Sequence, residues 1–123
     1  MSDILTATKA YLASLLSMDV YPGSVPQGKH LPAATYNLIS NPSEAAHTGD
    51  SHLSRARIQV QIFSVDHGEA FSYAMIVRNA LHATRAPFSP AQSVLVEGPV
   101  YTQKDPDTKS HGFAVDLLIW YKP

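Results

Sequence analysis

The stretch from Arg55 to Val65 most constrains how this 123-residue chain can fold, because apolar and polar side chains alternate along it. Successive side chains of a strand point to opposite faces, so Ile58, Val60 and Ile62 share one face and Arg57, Gln59, Gln61 and Phe63 the other. The closing segment, Phe113 to Lys122, repeats the pattern with Phe113, Val115, Leu117, Ile119 and Tyr121 on one side. One-sided strands of this kind need a covering layer. Ala33 to Ser40 predicts another strand, with Ala34, Tyr36 and Leu38 on one face and Thr35, Asn37 and Ile39 on the other, ended by Pro42. Val94 to Thr102 predicts a fourth, bent, bulged or at an edge, because it contains Gly98-Pro99 and proline has no N–H to donate.

Two amphipathic segments supply the cover. Between Asp3 and Ser17, the residues Ile4, Leu5, Tyr11, Leu12, Leu15 and Leu16 recur at helical spacings, with Ser2 available as a cap. Asp66 and Glu69 stand three apart, as in a capping box, before Phe71, Ala74, Met75, Arg78 and Leu81, which predicts a helix to about Ala83. Pro87 and Pro90 mark its exit. Val20-Tyr21-Pro22-Gly23, followed by Pro26, Gly28 and Pro32, predicts an extended connection across the surface. Ser43 to Ser54 reads as a long loop, and Asp105-Pro106-Asp107-Thr108 as a turn. The expected fold is an α+β two-layer sandwich: a four-stranded, mainly antiparallel sheet with two helices on one face, in the order α-β-β-α-β-β, forming a single domain over residues 1–123.

Composition narrows the function. Hydrophobic residues make up 45% and charged residues 15%, which argues against disorder, and no apolar run approaches the roughly 20 residues needed to cross a bilayer. The start Met1-Ser2-Asp3-Ile4 lacks the features of a signal peptide, so synthesis and use inside a cell are expected. With no cysteine there are no disulfides and no thiolate chemistry. Lysine plus arginine number 9 against 10 acids, a net charge of −1, so any contact with nucleic acid must be local.

The search for chemistry yields little. His47 and His52 flank Asp50 in the long loop, but a paired third ligand and the helical HExxH spacing are both missing, so solvated loop histidines are the simpler reading. There is no GxSxG turn and no glycine cluster leading into a helix. Asp105 and Asp107 lack the remaining ligands of a calcium loop. No catalytic residue, cofactor or metal site is expected. Arg55 and Arg57 project to one face beside the loop, either as a local phosphate-contacting pair or as a solvated strand end or interface ion pair.

The face opposite the helices is more informative. Ile39, Phe63, Leu118 and Trp120 fall there, beside Arg57, Gln59, Gln61 and Asp116. Burying such side chains fully contributes roughly 1.5 to 3 kcal/mol each, enough for a patch of several to favour a partner. Either the chain's own loops cover them, the proline-rich connection after Tyr21 among these, or they form a subunit interface centred on Trp120 and Phe63.

Taken in order, several pieces resemble one family. They are Val20-Tyr21-Pro22, Val25-Pro26-Gln27-Gly28, Leu31-Pro32 leading into Tyr36-Asn37-Leu38-Ile39-Ser40, and Arg55-Ala56-Arg57-Ile58-Gln59-Val60-Gln61. The helix end Val77-Arg78-Asn79-Ala80-Leu81, the Asp105-Pro106-Asp107-Thr108 turn and the closing Asp116-Leu117-Leu118-Ile119-Trp120-Tyr121 follow. Across nearly the whole chain this resembles the tail-completion or tail-terminator proteins of long-tailed phages and related prophage particles.

The resemblance implies a structural virion protein assembled in the bacterial host cytoplasm. It implies a homohexameric ring at the head-proximal end of the tail tube, which ends tube growth and meets the head. The implied partners are further copies of itself, the tail-tube protein, a head–tail connector or stopper protein, and DNA passing through the lumen without sequence preference. No membrane, cofactor or enzymatic residue is implied. In such a ring the loop residues His47, Asp50 and His52, with Arg55 and Arg57, are candidates for facing the lumen or a neighbour; the His47-Thr48-Gly49-Asp50-Ser51-His52 run itself lies outside the family pattern. The alternatives are a neck or head-completion connector, and a stand-alone cellular binding domain.

Overall fold

The computed structural model describes residues 4–26, 28–40, 54–102 and 110–121. Its elements run α1 (Ile4–Leu16), β1 (Val20–Pro22), β2 (Ala33–Ser40), β3 (Ser54–Ser64), α2 (His67–Leu81), β4 (Thr84–Arg85), β5 (Ala91–Tyr101) and β6 (His111–Tyr121). The expected α+β class holds, but the sheet has six strands in the order β1-β2-β3-β6-β5-β4, not four. The two extra strands are short and lie at the edges. Val20–Pro22, expected as plain connection, pairs parallel to Ala34–Tyr36, while Thr84–Arg85, just past α2, pairs with Ser93 and Val94. Both are too short to show an alternating pattern, and tertiary pairing alone makes them strands.

The two strands with the clearest alternation occupy the centre. β3 runs antiparallel to β6 from Ser54↔Tyr121 to Ser64↔His111 without a slip, β2 pairs with the other side of β3, and β5 with the other side of β6. Ala56, Ile58, Val60 and Ile62 then line up with Val115, Leu117 and Ile119 on one face, all fully buried. α2 packs on that face over β3, β6 and β5, and α1 lies against α2 and β1. Tyr11 of α1 stacks on Phe88 at 4.9 Å, tying the helix layer to the segment after β4.

The buried stripe of α2 is Ala70, Ala74, Val77 and Leu81, one position away from part of the expected stripe, so Phe71 is 44% exposed. Small alanines let the helix approach the sheet closely, which is why the larger Phe71 and Met75 flank the contact. In α1 the buried set includes Thr8, whose hydroxyl donates to the Ile4 carbonyl at 2.7 Å and so enters the core satisfied. The expected capping box is present in altered form. Asp66 accepts from the Glu69 N–H at 2.8 Å, but Glu69 accepts from the Ser64 hydroxyl, and that hydroxyl accepts from the Asp66 N–H.

The bend expected at Gly98-Pro99 is a break in the β5–β6 register between Glu97 and Val100. Gly98 has φ +102°, a conformation in which a side chain would be strained, and a Cβ there would meet the Ala114 carbonyl at 2.9 Å. Ser2, the Asp105–Thr108 turn and the Ser43–Leu53 part of the expected loop lie outside the described residues.

Candidate functional site: the sheet face without helices

Cross-strand register assigns the residues of the second face. At one end Arg85, Ser93, Trp120 and Arg55 stand in a single row across β4, β5, β6 and β3. The next row is Leu95, Leu118 and Arg57, and the third is Glu97, Asp116 and Gln59. Trp120 and Leu118 are half-buried and Leu95 is 42% exposed, so the apolar strip continues from the tryptophan along the sheet. A shallow groove of about 390 Å³ between β4 and Trp120 is lined by Arg85, Ser93, Leu95 and the indole.

Arg57 is occupied within the sheet. Its guanidinium donates to Asp116 at 3.1 Å through Nε and to Glu97 at 2.6 Å through Nη2, and Nη2 also lies 2.9 Å from Asp116. Hydrogen bonding to Glu97, and to a lesser degree the charge of Asp116, pushes the Arg57 pKa above the ordinary guanidinium value. Gln59 donates to the other Asp116 oxygen at 3.4 Å. Arg55 and Arg57 therefore share a face as expected, but Arg57 is neutralised internally. Arg55 is exposed and, among the described residues, has no ionic partner.

The other expected interface residues are dispersed. Phe63 pairs with Gly112, eight positions along β3 from Arg55, so roughly 26 Å of strand separates it from Trp120. The two aromatic residues do not form one centre. At the Phe63 end the proline-rich connection comes over the sheet: Gly23, Val25, Pro26, Lys29 and Leu31 enclose, with Gln61 and Phe63, a cleft of about 460 Å³. Ala33 and Thr35, on the same face by register, are fully buried there. Cover by the chain's own connection thus describes the Phe63 end, and an open apolar strip describes the Trp120 end. Ile39 is 52% exposed at the register break between Leu38 and Ser40, beside Arg57 on β3 and far from the Phe63 end. His47, Asp50 and His52 lie outside the described residues.

A cluster of rings escaped the sequence reading. His67 and Phe71 at the start of α2 meet Tyr101, His111 and Phe113 at the ends of β5 and β6, with centroids 5.1 to 5.4 Å apart for His67–Phe113, His67–Tyr101, His67–His111, Tyr101–Phe113 and Phe71–Phe113. The Tyr101 hydroxyl lies 3.0 Å from His111 Nδ1. The signal was present in part: His67 and Phe71 are four apart on a helix, and His111 and Phe113 two apart on a strand. What joins them is β3–β6 pairing, which sets Ser64, just before α2, opposite His111, while β5–β6 pairing adds Tyr101. Among the described residues no group of three metal-ligating side chains converges.

By its geometry the molecule is a two-layer α+β module with helices on one sheet face and an aromatic, arginine-flanked strip on the other. The chain belongs to the family described as tail completion protein gp17, whose sequence profile matches residues 3–122, and it is a structural protein of a phage-type virion tail. The fold is similar to that of a chain in a solved structure titled "Virion of native gene transfer agent (GTA) particle", with a TM-score of 0.64 at 14% identity, covering 100% of both chains. No curated protein sequence matches it.

Proposed function

We propose that this protein closes into a homohexameric ring at the head-proximal end of a tail tube, stops tube polymerisation there and presents the surface to which the head is joined. Its partners are then copies of itself, the tail-tube protein and a head–tail connector or stopper protein, with DNA passing through the lumen, and it catalyses nothing. The supporting observation is the open strip of Trp120, Leu118 and Leu95 on the helix-free face of a tail-completion family member. An aromatic residue among aliphatic ones with arginines at its border has the composition of an interface core.

Light scattering over a concentration series, followed by negative-stain imaging, tests this. Six-fold rings, formed alone or on added purified tail tubes, are expected, and tubes capped by the protein should stop elongating. A persistent monomer that neither binds tubes nor limits their length would overturn the reading.

A further inference from the structure

We infer that the Arg85–Ser93–Trp120–Arg55 row is one half of the contact between neighbouring copies, and that it receives the acidic, aromatic end of the next copy around the start of α2. This deepens the ring reading and rests on it.

The row is basic and unspent. Arg55 and Arg85 are exposed and, among the described residues, neither has an acidic partner, while the nearby Arg57 is held by Glu97 and Asp116. Between the two arginines lies the groove bordered by Trp120 and Leu95. A nucleic-acid strand suits this surface poorly. Beyond the apolar strip stand the carboxylates of Glu97 and Asp116, two against the single Arg57, which repel a phosphate backbone running along the sheet. A partner with apolar side chains and a few carboxylates fits both parts.

The same chain carries such a surface at its other end. Val65 is 64% exposed, Phe71 44% and Tyr101 41%, and the exposed acids Asp66 and Glu69 stand beside them at the start of α2. Each acid is engaged only locally, Asp66 by the Glu69 N–H and Glu69 by the Ser64 hydroxyl, and neither is paired with a cation among the described residues. β3 links the two surfaces: Arg55 is near its beginning and Val65 follows its end, roughly 30 Å along the strand. Opposite charge at opposite ends, each beside exposed apolar side chains, suits head-to-tail contact, in which one patch meets a different patch of the next copy and the set closes as a ring.

Complementation of two variants tests the pairing. Arg55→Glu with Arg85→Glu removes the basic patch, and Val65→Asp with Phe71→Asp spoils the acidic, apolar one. Each variant alone is expected to remain monomeric under conditions where wild type forms rings. A 1:1 mixture should give heterodimers and nothing larger, because one intact patch of each kind remains. Circular dichroism checks folding, and the single variants Arg85→Glu and Val65→Asp, both at exposed positions, are each expected to weaken assembly at least tenfold. Wild-type rings together with a mixture that stays monomeric, or with either double variant still forming rings, would overturn this pairing and leave the ring reading standing. Unchanged assembly with lost retention of duplex DNA by Arg55→Glu/Arg85→Glu would reassign the row to nucleic acid. A wild type that forms no ring, alone or on tubes, would remove both readings.

Discussion

At the scale of single residues, the molecule depends on a few positions where space or hydrogen bonding admits few side chains. Gly112 is the clearest. It lies opposite Phe63 near one end of the two central strands, and a side chain there would place its Cβ 2.9 Å from the Phe63 ring and 2.5 Å from the Thr102 hydroxyl. The Thr102 N–H donates to the Gly112 carbonyl at 2.9 Å and keeps the two residues side by side, while the Phe63 ring blocks the other direction. Gly112→Ala is expected to lower stability by about 1 to 3 kcal/mol through overpacking, read as a lower denaturant midpoint with an unchanged slope. Asp66 is the second such position, because its carboxylate satisfies an otherwise orphaned N–H at the start of α2. Asp66→Ala should cost about 1 kcal/mol, and Asp66→Ser much less, in the same denaturation measurement.

At the scale of elements, the sheet margin at β5 is closed by side chains as well as by a strand. β4 covers only Ser93 and Val94 of β5, which leaves the later part of that strand as an edge. α2 closes it with side chains: Arg78 donates to the Val96 and Gly98 carbonyls at 3.4 and 3.0 Å, and His82 Nδ1 accepts from the Val96 N–H at 3.1 Å. Pro99 offers no donor, so the strand has few free groups with which to recruit another chain. Replacing both Arg78 and His82 by alanine is expected to accelerate aggregation on mild heating, followed by turbidity or thioflavin fluorescence, beyond what the loss of stability alone produces. If the double variant aggregates no faster than another variant of equal stability, the edge is protected by other means.

At the scale of the whole molecule, the sheet separates two tasks. Its inner face holds one core with both helices, and its outer face divides into an end covered by the proline-rich connection and an end carrying Trp120. Trp120→Asp should therefore leave the monomer folded, since the indole lies opposite the core, while abolishing ring formation. Near-unchanged far-ultraviolet circular dichroism with loss of large species in light scattering is the expected pair of results. Assembly unaffected by this substitution would exclude the strip from any subunit contact. Because the flanking charges are exposed, assembly should also weaken as salt rises from about 0.05 to 0.5 M, as the screening length shortens.

How much of this was legible in the chain follows from the range of the interactions concerned. The central strands, the two helices, the cap at Asp66 and the interruption at Gly98-Pro99 are local: two- and three-to-four-residue periods and single conformational requirements are written in consecutive residues, and the sequence by itself determined them. The family pattern is likewise an ordered string of such local pieces. What joins distant pieces was decided only by the tertiary structure. Val20–Pro22 and Thr84–Arg85 become strands because a partner strand offers free hydrogen-bonding groups, not because of their own composition. Alternation placed Phe63 and Trp120 on the same face but carried no information about which ends of β3 and β6 meet. Antiparallel pairing put them roughly 26 Å apart, and brought Arg55 and Arg85 into one row with the tryptophan, on either side of it. Face is a property of a residue's parity along its own strand, whereas neighbourhood is a property of register between strands, set when the buried sides of all of them must pack into one core.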